Sequence, residues 1–152
     1  MLPFSVVLHA GESPYRQVVF AATKAILAGE LPPGTAFPSV RELSQALKIN
    51  PNTAHKVVAE LVRDGLLEVL PGVGTIVARG HHISQGERQS LIARDIEVLV
   101  VEARRLGLSL DDVLRAIASQ WSTLFDRDRH DRASADEQSV NAPPIQTPVG
   151  GL

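Results

Sequence analysis

The sequence of 152 residues contains no cysteine and few aromatic residues: one Trp, one Tyr and four Phe. Without cysteine, a disulfide scaffold, a thiol nucleophile and a cysteine-ligated zinc or iron–sulfur site are excluded. Hydrophobic residues make up 44% of the chain, so the core is expected to be aliphatic. No apolar run has the length of a membrane span, and the first ten residues lack the pattern of a signal peptide. These features predict a soluble, cytoplasmic protein without a membrane segment.

The chain also lacks an excess of positive charge. It has 15 Lys and Arg against 17 Asp and Glu, for a net charge of −2 at pH 7. Residues 1–80 carry seven basic and six acidic residues, and the remainder carries eight and eleven. A general electrostatic field for nucleic acid is therefore missing. If the N-terminal half binds phosphates, it does so through a few placed groups.

Apolar periodicity predicts three helices and a β-hairpin in the first half of the chain. The predicted helices cover residues 14–29, 38–48 and 50–65, and the predicted strands cover residues 66–70 and 73–78. The third helix is the best marked, because Asn50 is a strong N-cap residue and Pro51 suits the first helical position. Pro71-Gly72 joins the two strands.

Two more helices with apolar stripes are predicted after a linker at residues 79–83. Their large apolar side chains recur at spacings of four and three, and they are the candidate dimerisation residues: Ile92, Ile96, Leu99, Leu106, Leu110, Leu114, Ile117, Trp121 and Leu124. A helical hairpin of this size cannot bury both stripes by itself, so a second copy of the chain is the favoured partner. The alternative is that the stripes fold back on the N-terminal half. Residues 126–152 are polar and are predicted to be a disordered tail.

Helix, turn, helix, tight turn, helix and hairpin within 65 residues is the layout of a winged helix-turn-helix. In that layout the third helix presents its N-terminus to the major groove of DNA, and the hairpin lies against the adjacent groove. Asn52 can bond adenine, Lys56 can neutralise phosphate, and the guanidinium of Arg41 can bind guanine or phosphate. The alternative is that the Asn-Pro-Asn-Thr run only starts a helix and that Arg41 pairs with Glu42 or Glu30.

Six short motifs occur in order along this region: Pro14-Tyr15-x-Gln17, Ile26-x-x-Gly29-x-Leu31-x-Pro33-Gly34, Pro38-Ser39-x-Arg41-x-Leu43, Asn50-Pro51-Asn52-Thr53, Leu61-x-x-x-Gly65-Leu66 and Gly72-x-Gly74-Thr75. Together they resemble the DNA-binding domain of the GntR family of bacterial transcription regulators, over residues 14–78. The region that follows resembles the short two-helix dimerisation region of the YtrA-like subfamily.

The resemblance implies a mostly α fold with a small β-hairpin. A winged helix-turn-helix would occupy residues 1–79, a two-helix dimerisation region residues 84–125 and a tail residues 126–152. The family's DNA contacts fall on Arg41, Asn50, Asn52, Thr53, His55 and the hairpin tip at Gly72, and Lys56 joins them because it shares their helical face. The tip has no Arg or Lys, which the family often has there, so backbone N–H groups are left for phosphate and a lower salt dependence is expected.

The predicted function is a sequence-specific, double-stranded-DNA-binding transcription regulator, a repressor by resemblance, that binds a palindromic operator as a homodimer. A winged helix used only for protein–protein interaction is the alternative. Catalysis is not expected, because the Gly72-Val73-Gly74 run has no following helix and no phosphate-binding loop occurs. His81-His82 is interpreted as solvated linker, so neither a metal nor a cofactor is predicted. The sequence leaves open whether a small-molecule effector binds.

Overall fold

In a computed structural model, residues 1–80 and 85–125 are described, and they form a mostly helical fold with one hairpin. The helices are α1 (Pro14–Leu27), α2 (Val40–Leu47), α3 (Pro51–Arg63), α4 (Gln85–Ser90), α5 (Ile96–Arg105) and α6 (Leu110–Phe125), with a π-helical turn at Leu91–Asp95; the strands are β1 (Leu67–Leu70) and β2 (Gly74–Val77). The predicted fold class is confirmed. The predicted tail and residues 81–83 of the predicted linker lie outside the described residues.

The starts of α2 and α3 are fixed by side chains that cap them. Ser39 Oγ accepts a hydrogen bond from the Glu42 N–H at 3.2 Å, and the Glu42 carboxylate accepts one from the Ser39 N–H at 2.8 Å. Asn50 Oδ1 accepts a hydrogen bond from the Asn52 N–H at 2.8 Å. Each cap satisfies donors that the first turn of a helix leaves unpaired. α3 begins after its predicted cap, Asn50, and α2 begins at Val40, two residues after the predicted start.

The core lies between α1, α2, α3 and the hairpin. α3 packs against both α1 and α2, and its Ala54, Val57 and Leu61 are fully buried. Leu43 of α2 and Val18 of α1 are also fully buried. Because the apolar stripe of α3 faces these residues, its opposite face and its N-terminus are left at the surface.

The hairpin is extended by a third segment that the sequence does not reveal. β1 and β2 are antiparallel, with Leu67 opposite Val77 and Leu70 opposite Gly74. Ala36 bridges to Ile76 beside β2. On either side of this bridge, the Phe37 N–H donates to the Thr75 carbonyl at 2.8 Å and the Val77 N–H donates to the Thr35 carbonyl at 2.9 Å. The hairpin is thereby anchored to the chain that leads into α2.

An N-terminal arm, residues 1–12, packs along this unit. The Phe4 ring is buried and stacks on Phe37 with the ring centroids 5.7 Å apart. Further along, Gln17 Nε2 donates to the carbonyls of His9 and Glu12 at 3.1 and 3.2 Å, and the His9 N–H donates to Gln17 Oε1 at 2.7 Å. Alternate side chains of the arm also pack on the core: Leu2, Val6 and Leu8.

The helical segment before Gly107 contains a feature that the prediction did not include. It starts with α4 at Gln85 and is interrupted by the π-helical turn, in which the Ile96 N–H bonds to the Leu91 carbonyl. A π turn accommodates one additional residue per turn and has no composition of its own, so apolar periodicity does not predict it. After the helix ends, the Leu108 N–H donates to the Ala103 carbonyl at 2.9 Å.

The start of α6 is capped in the same way as that of α2. Ser109 Oγ accepts from the Asp112 N–H at 3.2 Å, and the Asp112 carboxylate accepts from the Ser109 N–H at 3.0 Å. Hydrogen bonds from Ser109 hold the pKa of Asp112 below its ordinary value. These reciprocal hydrogen bonds fix where the second stripe begins. Within the described ranges, no helix is both long and apolar enough to span a membrane.

Candidate nucleic-acid interface

The N-terminus of α3 presents polar side chains to solvent. Asn52, His55 and Lys56 are exposed, whereas Thr53 is half-buried. Asn50 is exposed too, but its side-chain oxygen is already used by the Asn52 N–H. The amide of Asn50 therefore keeps its NH₂ donors, but one of the two lone pairs of its oxygen is already engaged within the protein. Asn52 keeps both its donor and its acceptor, which adenine recognition in the major groove requires.

Arg41 lies in the first turn of α2 and its side chain is exposed. None of the ion pairs among the described residues involves Arg41. Glu42, one of the two partners considered for it, is held by Ser39 instead, and the hydrogen bonds from Ser39 lower the pKa of Glu42. The pairing alternative is therefore not seen here, and the guanidinium is available to a ligand.

The turn between α2 and α3 contains a feature that the sequence pattern does not predict. Lys48 has φ 53° and ψ 40°, the left-handed conformation. Ser44 holds the turn, since its hydroxyl donates to the Ile49 carbonyl at 2.8 Å and its carbonyl accepts from the Ile49 N–H at 3.2 Å. The sequence offers one signal: only Lys48 and Ile49 separate Leu47, the last apolar residue of the α2 stripe, from the Asn50 cap.

The hairpin of β1 and β2, residues 67–77, is called the wing here. Its tip is a tight turn without positive charge. The Val73 N–H donates to the Leu70 carbonyl at 3.1 Å, and Gly72 has φ 75°. Proline followed by glycine at this φ is a type II turn. Because Pro71 has no N–H and that of Val73 is used, the Gly72 N–H is the donor left at the tip. Val69 and Val73 are exposed beside it.

At the opposite end of α3 the charged groups are partnered. Arg63 forms ion pairs with Glu60 and, at 3.8 Å, with Asp64. A hydrogen bond to Glu60 raises the pKa of Tyr15. Desolvation by burial raises the pKa of Asp64, and the nearby carboxylates of Glu60 and Glu87 raise it further. The side chains free to meet a ligand thus lie at the N-terminal end of α3.

The predicted dimerisation stripes lie open to solvent on the single chain. Leu110 is 73% exposed and Trp121 63%. Leu124 is half-buried, and the other predicted residues are also exposed: Ile92, Ile96, Leu99, Leu106, Leu114 and Ile117. An apolar groove of about 520 Å³ lies between α5 and α6 and is lined by, among others, Ala103, Leu106, Val113, Ile117, Trp121 and Phe125. These stripes are not folded back on the N-terminal half.

A metal centre is not evident in the described part of the chain. No group of three or more His, Asp or Glu residues there is placed to hold a metal ion. His81 and His82 lie outside the described residues.

These features define a winged helix-turn-helix module. The N-terminus of α3 is exposed, the cations Arg41 and Lys56 beside it are free, and the hairpin adjoins it. The sequence profile of the "Bacterial regulatory proteins, gntR family" matches residues 14–77. The chain belongs to the GntR family, as its motifs predict, and it is a transcription regulator with a DNA-binding helix-turn-helix.

Two curated relatives come from Bacillus subtilis (strain 168). The HTH-type transcriptional repressor YtrA is 33% identical over 98 residues, which are 64% of this chain and 75% of the relative. The uncharacterized HTH-type transcriptional regulator YhcF is 32% identical over 103 residues, which are 68% of this chain and 85% of the relative.

Solved structures share the fold. A transcriptional antiterminator from Listeria monocytogenes EGD-e superimposes with a TM-score of 0.67 at 22% identity, covering 78% of this chain and 89% of the other. A GntR family transcriptional regulator from Listeria monocytogenes does so with a TM-score of 0.54 at 23% identity, covering 74% and 98%.

Proposed function

We propose that this regulator is a homodimeric repressor that binds a palindromic operator and blocks transcription by occupying it. The observation that carries the proposal is the N-terminal end of α3, where Asn52, His55 and Lys56 are exposed beside an unpaired Arg41. The similarity to a protein named a transcriptional repressor supports the direction of regulation.

In this proposal the contacts divide into base recognition and positioning. Arg41 and Asn52 carry base specificity, because a guanidinium and a free carboxamide can each bond a base through two hydrogen bonds. Each such pair discriminates against the wrong base by about 1–3 kcal/mol. Asn50, Thr53, His55, Lys56 and the Gly72 N–H mainly orient the protein on the phosphate backbone.

The wing contributes little electrostatic attraction. Glu68 is the only charged residue between Leu67 and Val77, and the tip offers one backbone donor. Counterion release scales with the number of phosphates that cations neutralise. We therefore expect the affinity for DNA to depend less on salt than it would with a basic wing.

Dimerisation is proposed through residues 84–125. The exposed stripes of α5 and α6 would be buried against the same stripes of a second copy, as in an isologous two-fold interface. Such a dimer places two α3 helices on the two halves of a palindrome, with the half-sites one helical turn or a multiple of it apart. The groove between α5 and α6 would lie at this interface, and a small-molecule effector, if the protein has one, would bind there.

No catalytic role, metal or cofactor is part of the proposal, because every function assigned to the side chains above is one of binding.

A regulator of this kind acts where the chromosome is, so we place it in the cytoplasm. The two proposed units are a DNA-binding unit at residues 1–79 and a dimerisation unit at residues 84–125. The segment 126–152 has no assigned role.

The test is a selection of bound sequences from a random double-stranded DNA library at fixed salt, with the unsubstituted protein beside Arg41→Ala. We expect a palindrome with the unsubstituted protein and its loss with Arg41→Ala. The half-site spacing recovered in this way reports the geometry of the dimer.

Lack of enrichment with either protein would instead favour a winged helix that binds protein. The exposed, uncharged Val69 and Val73 of the wing are the observation that favours this second candidate. A selected sequence that survives in Arg41→Ala would show that Arg41 does not read bases.

A further inference from the structure

We propose that Lys48 is a further DNA-binding residue, whose ammonium group contacts an operator phosphate beside the N-terminus of α3. The inference rests on the proposed function and adds a contact that the motifs do not supply. Its basis is the combination of an unfavourable backbone conformation with an exposed cation at the corner of the helix-turn-helix.

The backbone of Lys48 has a conformation that favours glycine. With φ 53° it is the one non-glycine residue with positive φ in the ranges 1–80 and 85–125. A side chain disfavours the left-handed region because its Cβ comes too close to the backbone. Glycine is therefore the usual residue where an α-helix ends in a residue with the left-handed conformation. Residues held in such conformations cluster at functional sites, which raises the question of what the lysine side chain provides.

Hydrogen bonds to Ser44 hold the turn that contains Lys48, directly before the cap of α3. Ser44 bonds both the N–H and the carbonyl of Ile49, the next residue along the chain. Asn50, the cap of α3, follows one residue later. The Lys48 side chain is exposed, and none of the ion pairs among residues 1–80 and 85–125 involves it. Its ammonium group is therefore free at the edge of the proposed DNA surface.

The charge distribution gives this cation a clear role. The wing has no Arg or Lys, and the net charge of the chain is −2. Phosphate binding then depends on the few cations around the helix-turn-helix. Lys48 adds a third there to Arg41 of α2 and Lys56 of α3. Lys48 thereby supplies, beside α3, a positive charge that the wing does not have.

A purely structural role for Lys48 is the competing explanation. A cation at the C-terminus of α2 interacts favourably with the helix dipole, and that effect would stabilise the fold without any DNA. The two roles differ in what they change: the contact with phosphate alters the salt dependence of DNA binding, and the dipole interaction alters only the stability of the free protein.

The experiment compares Lys48→Asn, Lys48→Arg and Lys24→Asn with the unsubstituted full chain. Asparagine tolerates the left-handed conformation, so Lys48→Asn removes the charge and keeps the turn; Lys48→Arg keeps the charge. Lys24 is exposed in the last turn of α1 and provides the same change of net charge elsewhere. Affinity is measured from low to high salt on two duplexes of equal length, one selected by the protein and one of random sequence. Melting temperature checks the fold.

The affinity for DNA decreases as salt rises, and we expect Lys48→Asn to make the slope of log affinity against log salt less steep by about 0.9 per subunit. The affinity of the variant relative to the unsubstituted protein should then fall about eightfold per subunit for each tenfold decrease in salt. The loss should be the same on both duplexes, since a phosphate contact carries no sequence information. Lys48→Arg and Lys24→Asn should leave the slope unchanged.

Two results would overturn the contact while leaving the proposed function standing. One is an unchanged slope in Lys48→Asn with binding otherwise intact. The other is an equal decrease in Lys24→Asn, which would assign the effect to net charge. If the unsubstituted protein bound neither duplex, the proposed function and the Lys48 contact would both fail.

Discussion

Two carboxylates in the first half of the chain, Glu42 and Asp64, have pKa shifts of opposite sign. The Ser39 N–H and hydroxyl stabilise the charged form of Glu42 and lower its pKa. Asp64 has a raised pKa, because partial burial and the carboxylates of Glu60 and Glu87 disfavour its charged form. A lowered folded-state pKa stabilises the fold above the unfolded pKa and loses that effect as the pH falls. A raised one stabilises it at low pH and loses that effect as the pH rises.

We predict that Asp64→Asn increases the free energy of unfolding at pH 7, by about 0.5 kcal/mol after allowance for solvent screening. The gain should disappear as the pH falls to about 3.8, the ordinary pKa of an aspartate. Thermal unfolding at pH 7 and at pH 3.5 measures both values.

The matched substitution is Glu42→Gln, for which the opposite sign is expected. It should lower the melting temperature at pH 7, and the difference from the unsubstituted protein should shrink on acidification. If both variants shifted the melting temperature in the same direction at pH 7, the assigned causes of the two pKa shifts would be wrong.

At the scale of the element, the wing turn depends on the backbone of one glycine. Gly72 has φ 75°, and a Cβ built there meets nothing within 4 Å. Substitution is therefore unfavourable because of backbone conformation and not because of a steric clash. We predict that Gly72→Ala lowers the free energy of unfolding by about 1 kcal/mol, measured by urea denaturation.

Gly80 is the control for this prediction. A Cβ there also meets nothing within 4 Å, and its φ lies outside the left-handed region. Gly80→Ala should change the free energy of unfolding by less than about 0.5 kcal/mol. Equal losses in both variants would show that backbone conformation is not the cause at Gly72.

The sequence predicted those elements whose ends are marked by local chemistry. Asn50 and Pro51 start α3, and the Pro71-Gly72 turn joins the strands. In both cases the hydrogen bond at the boundary spans at most three positions along the chain, so the boundary can be read from a short stretch.

Features that depend on distant partners were not predicted. Ala36 joins the wing because it bridges to Ile76, forty residues away. The arm packs because Phe4 meets Phe37. The left-handed backbone of Lys48 was missed for another reason: the hydrogen bonds between Ser44 and Ile49 are local, but no residue type in the turn predicts a positive φ. Of the candidate site, the sequence identified the residue types on α2 and α3, whereas their freedom from partners needed the structure.

At the scale of the whole molecule, the exposed stripes are the main feature left unsatisfied by a single chain. Trp121 lies within them and contacts Phe125 edge-to-face, with the ring centroids 5.2 Å apart. Large aromatic side chains at interfaces carry much of the binding energy. Loss of Trp121 should therefore weaken the proposed dimer without altering the proposed DNA surface of α3.

We predict that Trp121→Ala raises the dimer dissociation constant by about thirtyfold or more, corresponding to about 2 kcal/mol. Operator affinity at dilute concentration should fall with it. Arg115→Ala, which removes only exposed ion pairs with Asp111 and Asp112, should leave the dissociation constant nearly unchanged. Sedimentation equilibrium over a dilution series measures it. A Trp121→Ala protein that keeps the dimer mass at the lowest concentration would contradict the proposed interface.

Phe37 is the residue at which three parts of the fold meet. Its ring stacks on Phe4 of the arm, its N–H bonds to the wing at Thr75, and Pro38 and Ser39 follow it into the cap of α2. A change in how Phe4 packs would therefore be passed on both to the wing and to the start of α2, where Arg41 lies.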